Sequence, residues 1–195
     1  MVKRFVCPAA RLGGLPSEPL RLSVVVDGAV PDDDRIEAVE GTGEPAKLVV
    51  HAAETYVEVP ASNTVVLDSI AAVGARAKVR CGPEPPPSEA LAEFIRACRS
   101  SGIAFKATAG LHHAVRTDGQ LGFLNLLAAV VFGDEEGALE EQDANAFSLD
   151  AAGFSWRDRQ AAADELARVR RELFAGIGSC SFREPVDELK SLRIL

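Results

Sequence analysis

Apolar residues recur along this chain at two different spacings, and each spacing predicts its own kind of element. Residues 20–27 (Leu-Arg-Leu-Ser-Val-Val-Val-Asp) are β-branched and stop at Gly28, which predicts a strand. Asp32, Asp33 and Asp34 precede Arg35-Ile36-Glu37-Ala38-Val39, where carboxylates favour the positive end of a short helix. Gly41 to Pro45 breaks the pattern, and residues 47–51 and 55–59 read as two short β runs or one kinked strand. After Pro60 the order becomes regular. Ser62 or Asn63 caps a helix carrying Val66, Ile70 and Val73, closed by Gly74. Residues 75–81 form a strand, followed by Gly82 and the prolines 83, 85, 86 and 87. Ser88 caps a second helix with Leu91, Phe94, Ile95 and Cys98 at i, i+3, i+4 and i+7, ending at Gly102. Residues 103–109 are a strand, and residues 120–132 are a helix so apolar that it must be buried. Strands and helices alternating at this spacing predict parallel pairing through right-handed crossovers.

The last third changes character. Residues 147–156 read as a hairpin with Gly153 at its turn. Residues 160–174 read as an amphipathic helix with Leu166, Val169 and Leu173 inward and an Asp164–Arg168 pair outside. Residues 176–182 read as a loop, and Pro185 opens a terminal helix packing Val186, Leu189 and Leu192. The predicted organisation is an irregular lead-in over 1–19, a parallel β/α domain over 20–134, and a hairpin with helices over 135–195 packed on that domain. The fold class is α/β: an incomplete (β/α) barrel or an open parallel sheet with helical crossovers, plus a small C-terminal α+β appendage.

Parallel strands covered on both faces read as unbroken apolar runs. Here one face of each strand is polar: Glu54, Tyr56 and Glu58; then Arg76, Lys78 and Arg80; then Lys106, Thr108 and Gly110. Either the strands curve and turn this face toward a lumen, or the sheet is open and the face is wet. A lumen requires the charges to pair, since buried Lys, Arg and Glu are rare otherwise. Enzymes built on barrels hold their reacting groups at the C-terminal strand ends.

The segment 105–116 (Phe-Lys-Ala-Thr-Ala-Gly-Leu-His-His-Ala-Val-Arg) concentrates the chemistry. Gly110 allows a ligand close to the backbone, and His112, His113 and Arg116 follow on the loop leaving the strand. Adjacent histidines in extended chain point opposite ways, so the pair does not suit one metal ion. The alternatives are a proton-transferring histidine with Arg116 clamping a carboxylate or phosphate, or a solvated loop with two ordinary histidines.

Composition narrows the partners. The 195 residues carry 21 Lys and Arg against 29 Asp and Glu, a formal charge of −8 without a basic run, which argues against nucleic acid. The apolar stretch 121–132 is interrupted by Asn125 and is shorter than the roughly 20 residues a bilayer span needs. Residues 1–4 are basic, but only Phe5, Val6 and Cys7 precede Pro8, too few for the apolar core of a secretory signal. Cys7, Cys81, Cys98 and Cys180 are too widely spaced for a zinc knuckle or redox dithiol and are expected as reduced, mostly buried thiols. The expectation is a cytoplasmic protein with no cofactor and no metal, a small anionic metabolite as partner, and no membrane.

Two resemblances arise from these runs. Residues 77–82 (Ala-Lys-Val-Arg-Cys-Gly), Pro87-Ser88, residues 105–113, and residues 177–185 (Ile-Gly-Ser-Cys-Ser-Phe-Arg-Glu-Pro) together resemble a signature of uncharacterised bacterial proteins, which implies no particular activity. Residues 75–117 also resemble Schiff-base aldolase barrels of the deoxyribose-phosphate aldolase kind. Those place lysines at two neighbouring strand ends, the second in a context like Lys106-Ala-Thr-Ala-Gly110. That resemblance implies Lys78 as the Schiff-base lysine; the chain departs from it in having fewer strands and in carrying Arg80.

The functional expectation is a lyase or isomerase of carbonyl chemistry. Lys78 or Lys106 would be nucleophile or base, Glu58 and His112 would move protons, and Arg80, Thr108, Gly110, His113 and Arg116 would bind substrate. The alternatives are a non-catalytic anion sensor and a structural subunit with a charged strand face. An incomplete barrel leaves sheet edge uncovered, so a homodimer is expected.

Overall fold

The structure, a computed structural model, describes residues 4–49, 52, 54–82, 84–181 and 183–194. Seven parallel strands form one sheet: β1 (Phe5–Pro8), β2 (Leu22–Val25), β3 (Ile36–Gly41), β4 (Glu54–Glu58), β5 (Arg76–Arg80), β6 (Phe105–Thr108) and β10 (Phe174–Gly178). They lie side by side in that order and curl into a half-barrel. The helices are α1 (Pro45–Leu48), α2 (Leu67–Ala72), α3 (Ser88–Ser100), α4 (Phe123–Phe132), α5 (Glu135–Glu140), α6 (Ala163–Glu172) and α7 (Arg183–Ser191). A second, antiparallel sheet of β7 (Phe147–Leu149), β8 (Gly153–Trp156) and β9 (Arg159–Ala162) lies between α5 and α6 in the chain. Among the described residues no helix is long and apolar enough to cross a membrane.

The convex face holds the core. Val57, Ala77, Val79, Phe105 and Ala107 point outward from β4, β5 and β6 into Leu67 and Ile70 of α2, Leu91, Phe94 and Ile95 of α3, and Leu124 of α4. The Phe94 and Phe105 rings meet edge to face at 5.3 Å, and Phe174 extends the contact at 5.2 Å from Phe105. At the other end Cys7, Ala9, Leu12, Leu22, Val24 and Val39 form a smaller cluster. Asn125, inside the apolar α4, is fully buried and satisfied: it accepts from the Arg116 backbone N–H and donates to the carbonyls of Ala138 and Glu141, each at 2.8 Å.

Several elements differ from the sequence reading. Residues 36–41 are strand β3 rather than a helix. Paired along both edges, to β2 and β4, they gain more than the roughly 0.3–1 kcal/mol a helix dipole offers its acidic neighbours. Asp33 instead builds the turn before the strand, accepting at 2.9 Å from the Arg35 N–H. The run 47–51 contributes Lys47 and Leu48 to the one-turn helix α1, opened by Pro45; Val50 and His51 lie outside the described residues. The lead-in contains β1 and a 3-10 helix, Ala9–Gly14, because Val6 and Cys7 pair with Ser23 and Val24.

The C-terminal third carries the small antiparallel sheet and also returns one strand to the main sheet. Residues 159–162 are β9, so α6 starts later than expected, and Arg168 pairs with Glu165 and Glu172 rather than Asp164. Residues 174–178, expected to end a helix and enter a loop, are β10 of the main sheet. The terminal helix α7 buries Pro185 and Leu189, while Val186 and, just past its end, Leu192 are exposed.

Candidate functional site

Parallel register puts Glu58, Lys78 and Lys106 in one row across β4, β5 and β6. Their side chains leave the concave face, since their neighbours Val57, Val79 and Ala107 fill the convex core. The two ammonium groups converge on Glu40 of β3: Lys78 Nζ lies 2.8 Å from one carboxylate oxygen and Lys106 Nζ 2.6 Å from the other. Lys78 also reaches Glu58 at 2.8 Å, and Ser23 donates to Glu40 at 2.8 Å. Glu40 is 1% exposed, Lys78 4% and Lys106 9%.

Burial alone would raise the Glu40 carboxyl, but the two lysines outweigh it and hold the carboxyl below its ordinary range. Lys106 shares that one carboxylate with Lys78, so burial and the neighbouring cation leave its pKa below that of a free lysine. The Tyr56 ring lies 4.3 Å from Lys106 Nζ and offers a cation–π contact in partial exchange. Toward the N-terminal ends, Glu54 accepts from Tyr56 at 2.5 Å and pairs with Arg4 at 2.5 Å and Arg76 at 3.1 Å. Burial, then the Glu54 carboxylate, pushes the Tyr56 hydroxyl up to about 12.

Toward the C-terminal ends the face opens. Arg80 stands 3.9 Å from Glu58 with its side chain 59% exposed. Arg80 and Glu58 line a cleft of about 470 Å³ with Thr42, Glu84 and Pro86, beyond the ends of β3, β4 and β5. Thr108 pairs in register with Arg80 and with Gly178 of β10; its buried hydroxyl has no hydrogen-bond partner among the described residues. Gly176 stands beside Lys106 and Gly178 beside Thr108, so β10 covers neither with a side chain. Gly110 (φ 65°) follows Ala109 (φ 63°), and a Cβ on Gly110 would lie 2.6 Å from the Gly82 carbonyl oxygen.

The structure thus joins Glu58, Lys78 and Lys106, and sets Arg80, Thr108 and Gly110 at their C-terminal side. The remaining candidates engage other elements. His112 Nδ1 is 2.7 Å from Glu184 and its Nε2 is 3.5 Å from Cys180 Sγ. His113 Nδ1 is 3.2 Å from Glu188, which also accepts from the Ala114 N–H. Arg116 is held by α5, 3.6 Å from Glu140 and bonded to the Leu139 carbonyl. Sequence reasoning passed over Glu40, because its strand reads as a helix, and Glu184, because nothing local ties it to His112. The Ile36-x-Ala38-x-Glu40 alternation was the available signal for Glu40.

Fold and face together define the class: an α/β half-barrel with a charged, largely neutralised concave surface and an open C-terminal rim. No family model, curated protein or solved structure matches the chain.

Proposed function

We propose that the protein is an enzyme acting on a small anionic carbonyl metabolite at the C-terminal rim of the half-barrel, with lyase or isomerase chemistry at Lys106. The observation that carries this reading is the sharing of one buried carboxylate by two ammonium groups, which leaves Lys106 the less compensated. A lysine with a lowered pKa is a better amine nucleophile or base near neutral pH. The Thr108 hydroxyl, without a partner among the described residues, and the exposed Arg80 guanidinium supply a donor and a cation for the substrate's anionic group. Lys78, held by two carboxylates, serves to set the charge of its neighbour rather than to react. That reverses the role suggested by the aldolase resemblance, which favours Lys78.

A second reading, a structural charged face, is favoured by the complete pairing of Lys78, Lys106 and Glu40. Borohydride trapping separates the two. Pyruvate and glycolaldehyde phosphate, each with borohydride, should leave a reduced adduct on Lys106, absent in Lys106→Met. Adducts spread over Lys47 and Lys190, or none at all, would make the network structural.

Four free thiols support a reducing, cytoplasmic setting. That β1 and β10 each pair with one strand only among the described residues supports a homodimer.

A further inference from the structure

Beyond the ends of β6 and β10, the loop after Gly110 and the segment after Gly178 bring together three side chains from distant parts of the chain. Cys180 Sγ lies 3.5 Å from His112 Nε2, and His112 Nδ1 lies 2.7 Å from Glu184 Oε2. The two contacts use opposite nitrogens of one ring. Thiol and carboxylate therefore stand on opposite sides of the imidazole, in a line rather than around a point. A line suits proton relay; a metal ion would need the donors to converge. Among the described residues no group of three or more His, Cys, Asp or Glu side chains is arranged to hold a metal.

The histidine end of this line is anchored. Leu111 and Ala114 on either side of the two histidines are buried, and Glu188, one turn after Glu184, clasps His113 and the Ala114 N–H. Cys180 is the exposed thiol, while Cys7, Cys81 and Cys98 are packed in the core. A redox pair would need a second accessible thiol, and these three offer none.

We propose that Cys180 is the nucleophile of a thiol acyl-transfer site, with His112 as its general base and Glu184 as the residue that positions the imidazole. The substrate class is a small ester or thioester. His112 Nε2 takes the Sγ proton as sulfur attacks the acyl carbon. The C–S bond forms, the bond to the leaving group breaks, and His112 returns the proton to the departing alcohol or thiol. Water then gives a proton to His112 as its oxygen attacks the thioester. The carboxylic acid leaves and the thiol recovers its proton, with no net oxidation or reduction. Glu184 holds Nδ1–H so that Nε2 faces the sulfur. This reading does not depend on carbonyl chemistry at Lys106.

p-Nitrophenyl acetate is the probe. The full-length protein should release about one equivalent of nitrophenolate in a burst and carry an acetyl group on the peptide bearing Cys180. Cys180→Ser should abolish the burst. His112→Asn should slow acylation by about 100-fold or more, the usual weight of a positioned base. Glu184→Gln should slow it less, with unchanged KM, and Glu184→Asp should restore part of the rate. His112→Gln serves as the second variant if His112→Asn does not fold by circular dichroism. Equal acylation of Cys180 in the wild type and in a folded His112 variant would overturn the proposal, as would acetyl groups found only on lysines.

Discussion

Glu40 is the residue on which the concave face turns. Both of its oxygens receive an ammonium group, and Ser23 adds a hydroxyl, so a carboxylate 1% exposed is fully satisfied. Removing one partner of a buried pair leaves uncompensated charge, and Glu40→Gln should cost about 3–5 kcal/mol in urea unfolding. The pH dependence follows from the direction of each shift. The Glu40 pKa is depressed on folding, so its stabilisation is complete above the unfolded value near ~4.3 and is lost as pH falls through the lower folded value. Unfolding free energy measured against pH should fall in that acid window, and Glu40→Gln should flatten the fall. Lys106 is also depressed, so the unfolded chain binds more protons between its folded pKa and about 10.4, and stability rises with pH there. Thr108 offers the opposite experiment. Thr108→Val removes a buried hydroxyl that has no partner among the described residues, and should gain about 1 kcal/mol, read as a Tm rise of about 2–4 °C.

At the scale of elements, legibility followed the strength of the local pattern. The helical stripe of α3 and the alternation of β5 and β6 were readable because each buries one regular set of side chains. The lysine row was readable for the same reason, since register follows once β5 and β6 are neighbours. β3 was hidden by three aspartates whose local preference lost to pairing on both edges. β10 was hidden by its composition: Gly176 and Gly178 are poor strand formers, and only the neighbouring β6 makes the segment a strand. His112 and Cys180 meet across 68 residues, a contact no local period encodes. The end of β6 carries its own prediction. Gly110→Ala would place a methyl group against the Gly82 carbonyl at a positive φ, and should destabilise by about 2 kcal/mol or more in urea unfolding.

As a whole the molecule is a sheet with two open ends. Among the described residues β1 and β10 each pair on one side, and Phe5 on β1 is 50% exposed. Unpaired strand edges invite another chain, and a sedimentation-velocity run at micromolar concentration should show a dimer; a monomer would return these edges to solvent. The order of the strands has a further consequence, in the time domain. β1 to β6 are neighbours in sequence and space, and each can pair with its predecessor as soon as it is synthesised. The seventh strand comes only after the 65 residues from 109 to 173. At the usual pace of translation that is a delay of about 3–13 s, during which the outer edge of β6 has no partner. Phe105 and Lys106 wait beside an open edge, and the strand that completes the sheet also delivers Cys180 to His112. The rim is therefore assembled last, by the same step that gives β6 its second partner strand.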